Sequence, residues 1–307
     1  ITTGDSNVAI GYAALNATTG TSYNIAIGTD ALGAIVTGNS NVAVGQGALQ
    51  TNTSGTRNHA LGHAALLLNT TGNYNSAMGY YSLGANTTAS YNSAFGDTTL
   101  YLNTTGASNT AVGYSALYTN TTGASNTAVG FQALDANTTA SYNTAVGNAA
   151  LGANTTGTQT TALGHGALQT QTTASYNVAL GVNAMALTTT GQANVAAGGY
   201  SLDANTTGND NIAIGYAALG ANTTAHSNIG IGRDALLLNT TGTANVAIGY
   251  TALDANTTAS YNTAVGHNSM AANTTGSYHT ALGYNTLIAN TTGILNTAIG
   301  ALTLVAN

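Results

Sequence analysis

Side chains able to do chemistry are sparse in this chain of 307 residues and fall on a few fixed rows. The carboxylates are eight Asp with no Glu, and the permanent cations are Arg57 and Arg233 alone. Cleaving a polymer bond requires acid and base groups converging on one atom. Asp135, Asp203 and Asp254 share one register, yet they lie four and three repeats apart. No two Asp occupy the same register in successive repeats, so paired-carboxylate catalysis is not expected. The chain reads as a non-enzyme with no catalytic residue and no cofactor.

The His, Tyr and sequon Asn residues fall on further rows. His59 and His63 have the even spacing of residues sharing one strand face and could ligate a metal, but incidental polar surface is the favoured reading and no metal is expected. His63, His165 and His267 share a register six repeats apart, too far to cooperate. Tyr12, Tyr80, Tyr114, Tyr216, Tyr250 and Tyr284 form one aromatic row, and Tyr23, Tyr74, Tyr91, Tyr142, Tyr176, Tyr261 and Tyr278 another. The first row is the candidate binding surface, with rings available to sugars or protein; the plainer alternative is that rings cover a corner or a seam between chains. Thirteen in-register sequons, among them those of Asn69, Asn103, Asn120 and Asn239, are candidate glycosylation sites. An Asn that caps a turn and stacks as an amide ladder explains the same pattern and is favoured.

These rows exist because the sequence repeats every 17 residues without insertion or deletion. Asn7-Val8-Ala9-Ile10-Gly11 returns as Asn24-Ile25-Ala26-Ile27-Gly28 and onward to Asn296-Thr297-Ala298-Ile299-Gly300, 18 copies in all. A fixed short period marks units that bury their apolar faces only by stacking on one another. With the Asn as position 1, position 5 is Gly in all 18 copies, position 3 is Ala in 17, and position 9 is Leu or Met. Positions 1 to 5 are β-prone and read as a strand, with a second short strand at 8 to 11. Positions 12 to 15, mostly Asn-Thr-Thr-Gly, read as the turn that closes each coil. Ala replaces Gly at position 15 in Ala89, Ala140, Ala174, Ala225 and Ala259. Close packing, rather than a positive φ, is therefore what keeps that residue small.

Alternation along a strand puts positions 2 and 4 on one face and 3 and 5 on the other. Neither face varies like free surface. The preferred reading sends the bulky 2/4 face inward beside Leu at position 9 and leaves the Ala/Gly face for contact between chains. A Gly needed for a bend at position 5 is the competing reading. The whole of 1–307 is read as a single repeat array, an all-β parallel β-solenoid of 18 stacked coils.

Composition agrees with stacking. Charged residues are 3% of the chain, against about 25% in ordinary domains. In strands about 4.8 Å apart a repeated charge costs roughly 0.9 kcal/mol per pair even in water. Proline, which cannot donate to a ladder, is absent, as is cysteine. No basic patch suits nucleic acid and no apolar run spans a membrane. The chain opens inside a repeat at Ile1 and closes on Asn307, the first residue of a nineteenth tetrapeptide turn, which suggests a window within a longer protein.

The pentapeptides Asn109 to Gly113 and Asn7 to Gly11 resemble the head repeats of trimeric autotransporter adhesins. The fuller unit Asn109 to Leu117 followed by Asn120-Thr121-Thr122-Gly123 is similar to repeats of phage-type tail fibre proteins. That resemblance implies a left-handed β-roll, a homotrimer, and a role as shaft or head of an extracellular attachment fibre on a cell or virion. A cell-surface glycan or protein receptor would be its partner. The rival expectations are a structural filament without a receptor and an ice-binding solenoid, in which only one Thr per turn would face ice.

Overall fold

The computed structural model describes residues 3–305, and no helix occurs among them. Ile1, Thr2, Ala306 and Asn307, on which the reading of cut repeats at the chain ends draws, lie outside the described residues. The chain forms two compact units, Ile1–Thr156 and Gly157–Asn307. Unit 1 holds nine strands, β1 (Val8–Ile10) to β9 (Thr144–Val146), and unit 2 holds nine, β10 (Thr161–Leu163) to β18 (Thr297–Ile299). Each strand is three residues long and pairs in parallel with its successor in the same unit. In unit 1 Val8 lies against Ile25 and Ala9 against Ala26; in unit 2 Thr161 lies against Val178 and Ala162 against Ala179. The pairing shift equals the sequence period, so like residues form columns and each unit is a parallel β-solenoid.

Glycine at position 5 ends every strand, and two separate demands exclude other residues there. Its φ is positive throughout, from +112° at Gly300 to +146° at Gly198. A Cβ on Gly113 would also lie 2.6 Å from the carbonyl oxygen of Gly130 in the next coil. The bend reading of this residue is therefore the correct one.

The second strand expected at positions 8 to 11 does not form; positions 6 to 11 are turns. Positions 7 and 9 adopt the left-handed region in every described coil, as in Ser115 (φ 53°) and Leu117 (φ 53°). The Ala116 N–H donates to Gly113 O at 3.3 Å and the Asn120 N–H to Leu117 O at 3.2 Å, closing successive short turns. Between them, the Leu117 N–H reaches Ala133 O in the next coil at 3.0 Å. Such a ribbon curls back across the coil, which an extended segment cannot do within one 17-residue lap.

The interior reverses the preferred assignment of faces. Ala111, Ala116 and Leu117 are fully buried, as are Ala264 and Met270 in unit 2. Positions 2 and 4 point outward instead, leaving Leu61, Met78 and Val112 in unit 1 and Leu163, Ile214 and Leu282 in unit 2 exposed. The reason is volume. One Leu per coil fills so narrow a lumen, and the strand facing it has room for a methyl group only. Burial of that Leu contributes about 1.5–3 kcal/mol per coil.

Candidate ligand-binding surface

The amides of the sequon row are inside the coil. Asn69, Asn103, Asn120 and Asn239 are fully buried. Asn120 Nδ2 donates to Asn103 Oδ1 at 2.8 Å and to the Gly123 carbonyl at 3.0 Å. Asn239 repeats the pattern towards Asn222 and Gly242, at 3.1 and 3.0 Å. These side chains build the closing turn and its ladder, and the folded coil leaves no room for a glycan on any of the four. Position 15 is equally tight: a Cβ on Gly123 would lie 2.3 Å from Ala140 O and 2.4 Å from Asn120 Oδ1. Where Ala does stand, as at Ala140, the Asn137 Nδ2 bond to its carbonyl is kept at 3.1 Å. The φ at Gly123 is not positive, as expected from the Ala substitutions. Position 1 forms a second buried column. Asn109 Nδ2 closes its own coil on Gly123 O at 2.8 Å, and its Oδ1 accepts the Asn126 N–H at 2.9 Å.

The neighbouring Thr rows separate. At position 13, Thr104 and Thr121 spend their hydroxyl protons on the carbonyls of Thr121 and Thr138, each at 3.0 Å. At position 14, Thr71, Thr105 and Thr122 are exposed. In these coils one Thr therefore faces water.

The tyrosine rows become stacked columns. Tyr114 lies on Phe131 at 5.6 Å and 14°, and Tyr80 on His63 at 5.2 Å and 17°. In unit 2, His267 sits between Tyr250 at 5.2 Å and Tyr284 at 5.5 Å, and the Arg233 guanidinium covers Tyr216 at 5.6 Å. Tyr12 is 80% exposed. Rings stacked along the column axis cover one another's faces, so most of this row presents edges rather than open platforms. The second row behaves alike, with Tyr74 on Tyr91 at 5.1 Å and Tyr261 on Tyr278 at 5.2 Å.

His59 and His63 do not share a site. His59 lines an apolar cleft with Leu61, Met78 and Phe95, whereas His63, beyond the Gly62 corner, lines another with Asp30, Gln46 and Tyr81. His279, which takes the place of Asn at position 1, is 1% exposed. Its Nδ1 accepts the Asn296 N–H at 3.1 Å. Burial lowers its proton affinity below the ordinary range, partly offset by bonds to the Gly293 and Asn296 backbone.

Sequence reasoning missed position 10 as a companion to the aromatic row. Tyr101 and Tyr118 stack there at 5.5 Å and 27°. Over coils 6 to 8 of unit 1, a cleft of about 410 Å³ is lined by Thr98, Tyr114, Ser115, Tyr118, Gln132 and Asp135, among others. Burial raises the Asp135 carboxyl above its usual value, opposed by the backbone N–H groups of Asp135 and Ala136. The signal for this site was available in the spacing: Tyr114 and Tyr118 are four residues apart in one coil, and Asp135 is the position-10 residue of the next.

The fold thus defines a parallel β-solenoid with laps of 17 residues and a ribbed, mostly uncharged surface. No protein-family model and no curated protein matches the chain.

Proposed function

We propose that this array is the shaft or head of an extracellular attachment fibre, assembled from three copies and doing no bond-making chemistry. The observation that carries this reading is the apolar rib of position 4. Exposed Val, Ile, Leu, Met or Phe side chains recur at this position in both units, as at Met78, Phe95, Leu180 and Ile248, whereas position 2 is His, Ser or Thr in ten of the 18 copies. A rib so long is unusual on the free surface of a monomer, and a second and third copy of the same chain would cover it in register. Stiffness follows from the buried amide columns and the ladder bonds, which tie each coil to the next. The surface then holds a receptor contact, or an adhesive tip, away from the cell or particle.

Sedimentation of the 307-residue chain tests the assembly: the expected mass is three times 30.2 kDa, and a monomer at micromolar concentration rejects it. Binding to cells or to immobilised glycans tests attachment. A trimer that binds neither would be a structural filament. Ice binding draws less support, since the position-13 hydroxyls serve the ladder and only the position-14 rank remains.

A further inference from the structure

We propose that the cleft over coils 6 to 8 is a binding site for an uncharged sugar. This rests on the attachment reading and assigns the receptor contact to Tyr114, Tyr118, Gln132 and Asp135. The argument is one of donors and acceptors. Thr98 donates its hydroxyl proton to Asp97 O at 2.8 Å, so in its 2.9 Å contact with Ser115 it accepts. Thr119, also in the lining, spends its proton on the carbonyls of Asp135 and Asn137. The three hydroxyls therefore face a ligand with lone pairs, and the Asp135 carboxylate adds further acceptors. Donors come from the Gln132 amide and the two phenols. A ligand that satisfies this lining must bring several O–H groups that both donate and accept, which is the chemistry of vicinal sugar hydroxyls.

Ring geometry and charge narrow the class. One face of Tyr114 is taken by Phe131 and one face of Tyr118 by Tyr101. The other face of Tyr114 turns towards coil 6 and that of Tyr118 towards Asp135 in coil 8, so the two rings offer a sugar their edges and phenol oxygens. The volume, about 410 Å³, falls within the span of small-ligand sites. Arg57 and Arg233 both lie outside coils 6 to 8, while Asp97 and Asp135 lie inside them. Sialylated and sulfated sugars would meet like charge without a compensating cation.

The test uses the full 307-residue chain on an array carrying neutral, sialylated and sulfated glycans, followed by calorimetry with the best neutral oligosaccharide. Neutral glycans should be retained. The Tyr114→Phe/Tyr118→Phe pair and Gln132→Ala should each weaken binding about tenfold, one or two hydrogen bonds' worth, with melting unchanged. Retention of acidic glycans only, of no neutral glycan, or equal binding by the variants overturns the proposal. Variants that lose the neutral glycan but still adhere to cells as the parent does would sink the receptor assignment and leave the fibre reading standing. A parent chain that binds neither cells nor the array removes both.

Discussion

The two units share one fold but treat their buried amide columns differently. In unit 1 the position-12 column runs without a break from Asn52 to Asn154. Only the two coils before it differ, with Thr18 and the fully buried Ile35 in that position. Unit 2 has replacements in both columns. Thr160 and His279 replace Asn at position 1, and Gln171 follows Thr160 at position 12 of the same coil. The longer Gln171 makes up for the shorter Thr160: its Nε2 reaches Thr160 Oγ1 at 3.5 Å and Ala174 O at 2.9 Å, and its Oε1 accepts from Asn177 at 2.9 Å. His279 imitates Asn by offering Nδ1 to the next coil's N–H. In unit 2 Gln171 and His279 restore the acceptor facing the neighbouring coil, whereas Ile35 in unit 1 offers none and fills its place in the column by packing alone. Where the column stays polar, hydrogen-bond geometry is kept rather than Asn itself.

That comparison can be broken first at the feature both units hold in common. Gly113→Ala in unit 1 and Gly181→Ala in unit 2 each force a side chain onto a positive φ, +121° and +137°, and place a Cβ 2.6 Å from the next coil's carbonyl oxygen. Overpacking and left-handed strain together should cost about 3 kcal/mol or more in either unit. Equal, large losses in chemical denaturation are expected; a tolerated alanine in one unit would mean its corner is built differently.

Removing the lumen filler ranks next. Leu117→Ala and Leu253→Ala should each destabilise by about 2–5 kcal/mol. Thermal melting that hardly moves would show that the lumen collapses around the cavity.

The amide columns should distinguish the units. Asn120→Ala interrupts the unbroken column and leaves Asn137 Nδ2 without its 2.7 Å acceptor, at about 1–3 kcal/mol. In unit 2 Thr188 holds Asn205 Nδ2 only at 3.4 Å, so Thr188→Asn should stabilise by about 0.5–1.5 kcal/mol. Denaturation midpoints moving in the same direction for both variants would dissolve the contrast.

The smallest effect is confined to one coil and depends on pH. His279 must be neutral to accept the Asn296 N–H, and burial holds its proton affinity below the ordinary 6.5. Protons then favour the unfolded chain. The contribution of His279 is fully present above pH 6.5, is lost as pH falls through the lowered folded value, and levels off below it. Hydrogen exchange should report faster opening around Asn296 at pH 5 than at pH 7.5, and His279→Asn should abolish the difference. Asp203 and Asp254 act in the opposite sense. Burial raises both, so their cost grows as pH rises from 3.8.

The tyrosine rows were legible as rows because a 17-residue period aligns them. The same period already sets Asp135 in the coil next to Tyr118, whereas the ring stacking and the depth of the cleft were not legible, because they depend on side-chain orientations that the period does not fix. The buried role of the sequon Asn was one of two readings available from composition alone. Choosing between them required knowing that the position-15 carbonyl turns inward to receive the amide.

The sequence by itself determined the period, the parallel in-register stacking, the Leu column inside, the closing turn at 12 to 15 and the small residue that ends it. Each is a statement about recurrence, and recurrence is visible in one dimension. Tertiary structure alone decided which strand face turns inward, because alternation defines two faces without ranking them. The ranking came from volume: one Leu and two Ala methyls fill a lumen this narrow, and larger side chains at positions 2 and 4 fit only outside. The left-handed residues at 7 and 9, and at 17 as in Tyr74 (φ 57°) and Ser125 (φ 58°), likewise belong to the closed coil, since Tyr, Ser, Leu and Gln carry no local signal for that conformation.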